Sequence, residues 1–176
     1  MDLLHFNVVC SDFDASYDFY TEAVGMSPLT SSSAGTISAG TAERSPSGLR
    51  PGEERNTAEH GREVAELLGI DGSGQYRGCF LYFGTSRGGA YVDLLEWQDN
   101  LGPVERSPRN VGLSRVAIRV DDMDAQLERL AQHGVPTLTE PKTLTLGVTQ
   151  VRVVCFRDPD GVLLEYLEFA DRAWGR

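Results

Sequence analysis

Cysteine is scarce in this chain of 176 residues: Cys10, Cys79 and Cys155 are all there is. None has a second cysteine at a metal-ligand spacing such as CxxC, which excludes a disulfide scaffold and a zinc ribbon. Each sits in an apolar, strand-like run, and all three read as reduced core thiols, with a redox role as the minor alternative. Positive charge is also in short supply. Sixteen Lys and Arg against 26 Asp and Glu give a formal net charge of -10, and no basic cluster reverses it locally. Phosphate backbones and anionic membrane surfaces are therefore repelled, so neither nucleic acid nor a membrane is expected as a partner. No apolar run approaches the roughly 18 to 20 residues of a spanning helix. The opening MDLLHFNVVCSDFD has no basic n-region of a secretory signal, and the expected location is cytoplasmic.

What is present suits one globular domain or two small modules, with 40% hydrophobic and 24% charged residues. Two segments align at their starts: VVCSDFDA, residues 8–15, and IRVDDMDA, residues 118–125. Both end a strand and place an aspartate, Asp12 or Asp122, where it can cap a helix. The helices that follow stop at Gly25 and Gly134, glycines suited to a left-handed C-terminus. The ends match as well, VDLLEW (92–97) lying over LEYLEF (164–169) with strand-like alternation. Each module reads as βαβββ. In the second, the later strands are expected around 135–138, 149–156 and 162–169, the last two joined by the turn DPDG, Asp158 to Gly161.

Asp12 and Asp93 are 81 residues apart whereas Asp122 and Glu165 are 43 apart, so the first copy carries an insertion of about 38 residues. It falls at about 31–78. Its first half is rich in Ser, Gly and Ala and reads as loop. Its second half, Asn56 to Gly69, predicts an amphipathic helix with Val64, Leu67 and Leu68 on one face, a lid in one reading. The expected organisation is a first module over 1–97, a linker over 98–111, a second module over 112–170 and a tail over 171–176.

The repeated βαβββ plan, the strand-end aspartate before each helix, the DPDG turn and the acid-bearing last strands together resemble the vicinal oxygen chelate superfamily, which includes glyoxalase and bleomycin-resistance proteins. The resemblance covers nearly the whole chain outside the insertion. It implies an α+β fold of two βαβββ modules forming a curved, partly closed mixed sheet around a shared cleft, in a homodimer. It also implies a metal held by one residue near the start of each module's first strand and one on each last strand, typically His, Glu, His, Glu. The matching positions are His5, Asp93, Arg115 and Glu165. His5 and Arg115 each lie 7 residues before the capping aspartate. The departures are Asp for Glu at 93 and Arg for His at 115.

Strand alternation supports the same positions from the residues themselves. His5 shares a face with Asn7 and Val9, while Leu4, Phe6 and Val8 form an apolar face for a helix to cover. Arg115, Ala117 and Arg119 share a face, as do Tyr91, Asp93, Leu95 and Trp97, and Leu163, Glu165, Leu167 and Phe169. Glu96 and Glu168 fall on the opposite face as surface acids. His133 fits a helix C-terminus, His60 the surface of the inserted helix, and Asp158 and Asp160 a structural turn.

Arginine stays protonated and has no lone pair for a metal. Two explanations of Arg115 remain open. Its guanidinium pairs with Glu165 or Asp93 and the site has no metal, or His5, Asp93 and Glu165 keep a three-ligand divalent site while Arg115 holds a substrate oxygen. Two functions follow. One is an isomerase, epimerase or lyase acting on a small oxygen-rich molecule by proton transfer next to a carbonyl. Glu165 or Asp93 would be the base, with Arg115 or a metal at His5 stabilising the oxyanion, and Asn7, Tyr91, Trp97 and Arg119 contacting substrate. The other is a metal-free protein that binds and sequesters a small molecule.

Overall fold

The computed structural model describes residues 3–30, 48–83, 90–105 and 107–171. The chain divides into two compact units, Met1–Pro103 and Val104–Arg176. Among the described residues, no helix is long and apolar enough to cross a membrane.

The first unit begins with β1 (His5–Val9) and α1 (Phe13–Asp18), which runs on through a π-helical turn, Phe19–Ala23. Asp12 caps α1: its Oδ1 accepts the Ala15 amide at 3.0 Å, which satisfies a donor the helix itself cannot pair. β2 (Ser27–Pro28), β3 (Glu54–Arg55), α2 (Ala58–Leu68), β4 (Tyr76–Tyr82) and β5 (Tyr91–Trp97) follow. The strands lie in the order β1-β5-β4-β2, with β3 also on β4. β1 runs parallel to β5 and the other pairs are antiparallel. α1 packs on β5, and Val8, Cys10, Phe13, Tyr17, Leu81, Val92 and Leu94 are buried.

The second unit repeats the plan with β6 (Val116–Arg119), α3 (Met123–Gln132), β7 (Lys142–Leu146), β8 (Thr149–Arg157) and β9 (Leu163–Phe169), ordered β6-β9-β8-β7. Asp122 caps α3 as Asp12 caps α1, accepting from the Ala125 amide at 3.0 Å. Glu168, on the helix-facing side of β9, takes the Met123 amide at 3.1 Å and pairs with Arg152 at 3.0 Å. The DPDG turn holds together through Asp158, whose Oδ1 accepts the amides of Asp160 and Val162. Both modules are thus βαβββ units with the same strand order, and Gly25 and Gly134 have φ of 87° and 68° at the two helix ends.

Three expectations need correction. The strand expected over 135–138 is a single bridge, Thr137 to Phe156, and the strand is β7 instead. Pro136 lacks the amide a ladder needs, whereas the hairpin closed by Gly147 and Val148 aligns residues 142–146 with β8. On α2, Leu67 and Leu68 are 83% and 55% exposed, and the packed residues are Gly61 and Ala65. A Cβ at Gly61 would come within 2.6 Å of the Ser73 carbonyl oxygen, so the small face is the one that approaches the chain. On β1, Leu4 is exposed and the helix-facing set is Phe6, Val8 and Cys10.

The looplike first half of the insertion, up to residue 47, lies outside the described residues, as does the tail from residue 172. Where the insertion returns, it is clamped to α1. Arg50 Nε donates to Asp14 Oδ1 at 2.8 Å, its Nη2 donates to Asp18 Oδ2 at 2.8 Å, and its guanidinium stands 5.2 Å from the Tyr17 ring centre. Glu53, with its side chain fully buried, pairs with Arg55 and Arg77 at 3.1 and 3.2 Å. Arg77 also reaches Asp14 at 3.0 Å and Glu96 at 3.7 Å.

Candidate functional site

Each sheet has one face under its helix and one open face, and alternation decides which side chains share the open one. In the first module the register Asn7↔Asp93↔Phe80 and the pairing His5↔Tyr91 set these residues side by side. Tyr76 and Trp97 form a second cross-strand pair on that face. Asn7 Nδ2 donates to Asp93 Oδ2 at 2.8 Å, and His5 Nε2 stands 3.9 Å from the same oxygen. Aromatic rings surround this polar group: His5 meets Phe80 edge-on at 5.5 Å, Phe80 meets Tyr91 at 6.3 Å and Tyr76 meets Trp97 at 5.6 Å. Burial pushes the Asp93 carboxyl above its ordinary 3.8, against the opposing pull of His5 and of the Asn7 hydrogen bond. Among the described residues, the buried His5 Nδ1 has no hydrogen-bond partner.

In the second module Glu165, 8% exposed, lies between Ala117 on β6 and Cys155 on β8. Arg115 Nε is 2.7 Å from Glu165 Oε2, so one of the two carboxylates expected as its partner is its partner. The Cys155 thiol donates to the same oxygen at 3.8 Å, and burial followed by the Glu165 charge raises its pKa. Half of the Arg115 side chain remains exposed. Arg119 stacks over Phe169 at 5.6 Å.

The sequence-expected residues therefore gather in two groups, one in each unit: His5, Asn7, Asp93 and Tyr91 in the first, Arg115 and Glu165 in the second. Trp97 and Arg119 stand farther along the same open faces, on Tyr76 and Phe169. Phe80 and Tyr76 were not singled out from the sequence, and Cys155, expected as a core thiol, is partly exposed beside Glu165. Their positions follow only from the β4–β5 and β8–β9 registers, although the alternation of YRGCFLY would have grouped Tyr76 and Phe80 once β4 was paired.

The donors do not fit a four-ligand metal centre. The first module offers His5 and Asp93, the second a carboxylate already held by a guanidinium, and Arg115 has no lone pair to give. Among the described residues, no three His, Cys, Asp or Glu side chains converge to hold an ion.

No curated protein matches the chain. Solved structures do. A glyoxalase family protein from Bacillus cereus is 18% identical over 97% of this chain and 94% of its own, with a TM-score of 0.66. A glyoxylase/bleomycin resistance protein/dioxygenase domain from Frankia sp. EAN1pec is 18% identical over 98% and 94%, with a TM-score of 0.62. A glyoxalase I variant from Zea mays is 21% identical over 97% of this chain but 46% of that one, with a TM-score of 0.60. At such identities the likeness is one of fold. The profile of the Glyoxalase/Bleomycin resistance protein/Dioxygenase superfamily matches residues 2–166, a span that includes His5, Asn7, Asp93, Arg115 and Glu165. By that match, together with its paired βαβββ modules, the chain belongs to the glyoxalase/bleomycin resistance protein/dioxygenase superfamily.

Proposed function

We propose that the protein is an enzyme that moves a proton next to a carbonyl group of a small oxygen-rich organic molecule, without a metal, in isomerase, epimerase or lyase chemistry. The observation that carries this reading is Asp93, a half-buried carboxylate of raised pKa, hydrogen-bonded by Asn7 with His5 3.9 Å away, on an aromatic-lined face. A general base works best when its pKa approaches the operating pH, and burial moves Asp93 in that direction. In this reading an Asp93 oxygen takes the proton from the carbon next to the carbonyl, and the C–H electron pair moves into an enolate. The carboxylic acid then returns the proton to carbon or oxygen, or a β-substituent leaves with its bonding pair. On the second unit's own open face, Arg115, held by Glu165, presents a fixed positive charge of the kind an anionic ligand oxygen requires. Asn7 acts as a positioning residue, while Tyr91 and Trp97 contact the ligand.

The same reading includes a homodimer, on the strength of the family, and a cytoplasmic location, with which three cysteines outside any disulfide accord. A second reading, metal-free binding or sequestration of a small molecule, is favoured by the Arg115–Glu165 pair. It neutralises the second carboxylate instead of leaving it as a base.

Solvent exchange separates the two. In D2O, proton NMR of a panel of α-hydroxy carbonyl compounds is expected to show deuterium entering the carbon next to the carbonyl. Asp93→Asn should lose about 10²- to 10⁴-fold in that rate while keeping ligand affinity. Tight binding with no exchange by the unmodified protein would leave sequestration as the function.

A further inference from the structure

β7 is the outer strand of the second sheet, and all five of its residues, Lys142 to Leu146, are exposed. In the first module the equivalent outer position is guarded. β2 has only two residues, one of them Pro28, and β3 shares the same flank of β4. Short length, proline and added cover are the usual protections of a sheet edge. Among the described residues β7 has none of them, and its one charge is Lys142 at its start.

The backbone direction of this edge follows from its hairpin. Gly147 and Val148 form a two-residue turn between the paired Leu146 and Thr149, with Gly147 at φ 60°. Such a hairpin closes on a hydrogen-bonded pair, so Leu146, Leu144 and Lys142 aim their amides and carbonyls at β8. Thr143 and Thr145 aim theirs away. These outward groups lie one residue to either side of Leu144, and a two-fold axis through Leu144 makes the edge complementary to itself. We propose that β7 pairs antiparallel with β7 of a second copy of this chain, with Thr143 opposite Thr145 of the partner subunit and the two Leu144 side chains meeting at the axis. Each threonine pair exchanges two N–H···O bonds. Leu144 and Leu146, 48% and 39% exposed, lose water on the open face. A five-residue edge buries less than the roughly 1,200 Å² typical of a stable interface, so this association is weak and depends on concentration. The proposal does not rest on the catalytic reading, but gives its homodimer a location.

Sedimentation velocity from micromolar to millimolar protein tests the pairing. Thr145→Pro deletes an outward amide and leaves the β7–β8 ladder its bonds, whereas Thr145→Val keeps the backbone donor. The unmodified chain and Thr145→Val are expected to self-associate, and Thr145→Pro to sediment as a monomer. Hydrogen exchange on the unmodified chain gives a readout independent of any variant: the Thr143 and Thr145 amides should slow as concentration rises. A chain monomeric throughout overturns both this pairing and the homodimer. Unchanged association of a folded Thr145→Pro variant, or exchange at the two threonines independent of concentration, overturns the pairing alone and assigns the dimer to another surface.

Discussion

Asp93 and Glu165 occupy equivalent positions in the two modules and meet different surroundings. Glu165 is buried against a guanidinium, while Asp93 is half-buried beside an amide and an imidazole 3.9 Å away. A carboxyl whose folded pKa is raised binds more protons in the folded state than in the unfolded one above its unfolded value. Its contribution to stability is then full below the ordinary 3.8 and is lost as pH rises through the folded pKa. Asp93→Asn removes that loss. Urea unfolding from acid to neutral pH should therefore show the variant gaining on the unmodified protein across this window, with the difference level beyond it. If the reaction uses ionised Asp93, kcat/KM falls on acidification through the same raised pKa. The pairing of Arg115 with a carboxylate was one of the two explanations that the sequence left open. Which acid was not legible, because Glu165 and Asp93 belong to different strands and only the folded side chain makes the choice.

At the scale of elements, the caps were readable and the edges were not. Asp12 and Asp122 each accept the amide three residues on, a local bond between near neighbours in the chain that needs no tertiary partner. β7 escaped although Leu144 and Leu146 alternate with threonines, because so short a run takes its register only from the turn at Gly147. The exposed side of α2 escaped for a different reason. Leu67 and Leu68 dominate the helix pattern, yet the packed face belongs to Gly61 and Ala65, where the helix approaches the 73–75 turn. This reverses an ordinary expectation. Glycine to alanine within a helix usually stabilises by about 0.5 to 1 kcal/mol, but a Cβ on Gly61 meets the Ser73 carbonyl oxygen at 2.6 Å and Gln75 Cγ at 3.0 Å. Gly61→Ala should instead lower stability by about 1 to 3 kcal/mol as an overpacked contact, measurable as a shift in the urea midpoint.

Over the whole molecule, acidity is the property read most directly from composition. With a net charge of -10 and a sequence pI near 4.7, copies repel one another at neutral pH. Light scattering during acid titration should pass through a maximum near pH 4.7, where that repulsion vanishes. The duplicated βαβββ plan was likewise present in the sequence, because local rules produce it: capping aspartates, helix-ending glycines and strand alternation recur at matched spacings in both copies. So were the open-face positions His5, Asp93, Arg115 and Glu165, since a period of two assigns a face without a partner strand. Tertiary structure decided what pairing across distant strands decides. It put Phe80 beside His5 and Asp93, brought Cys155 to Glu165, joined Arg115 to Glu165, and folded the return of the insertion onto α1 through Arg50. The physical reason is the range of the interactions. Caps, turns and alternation act over a few residues, whereas ion pairs and ring contacts depend on registers that only the assembled sheets define.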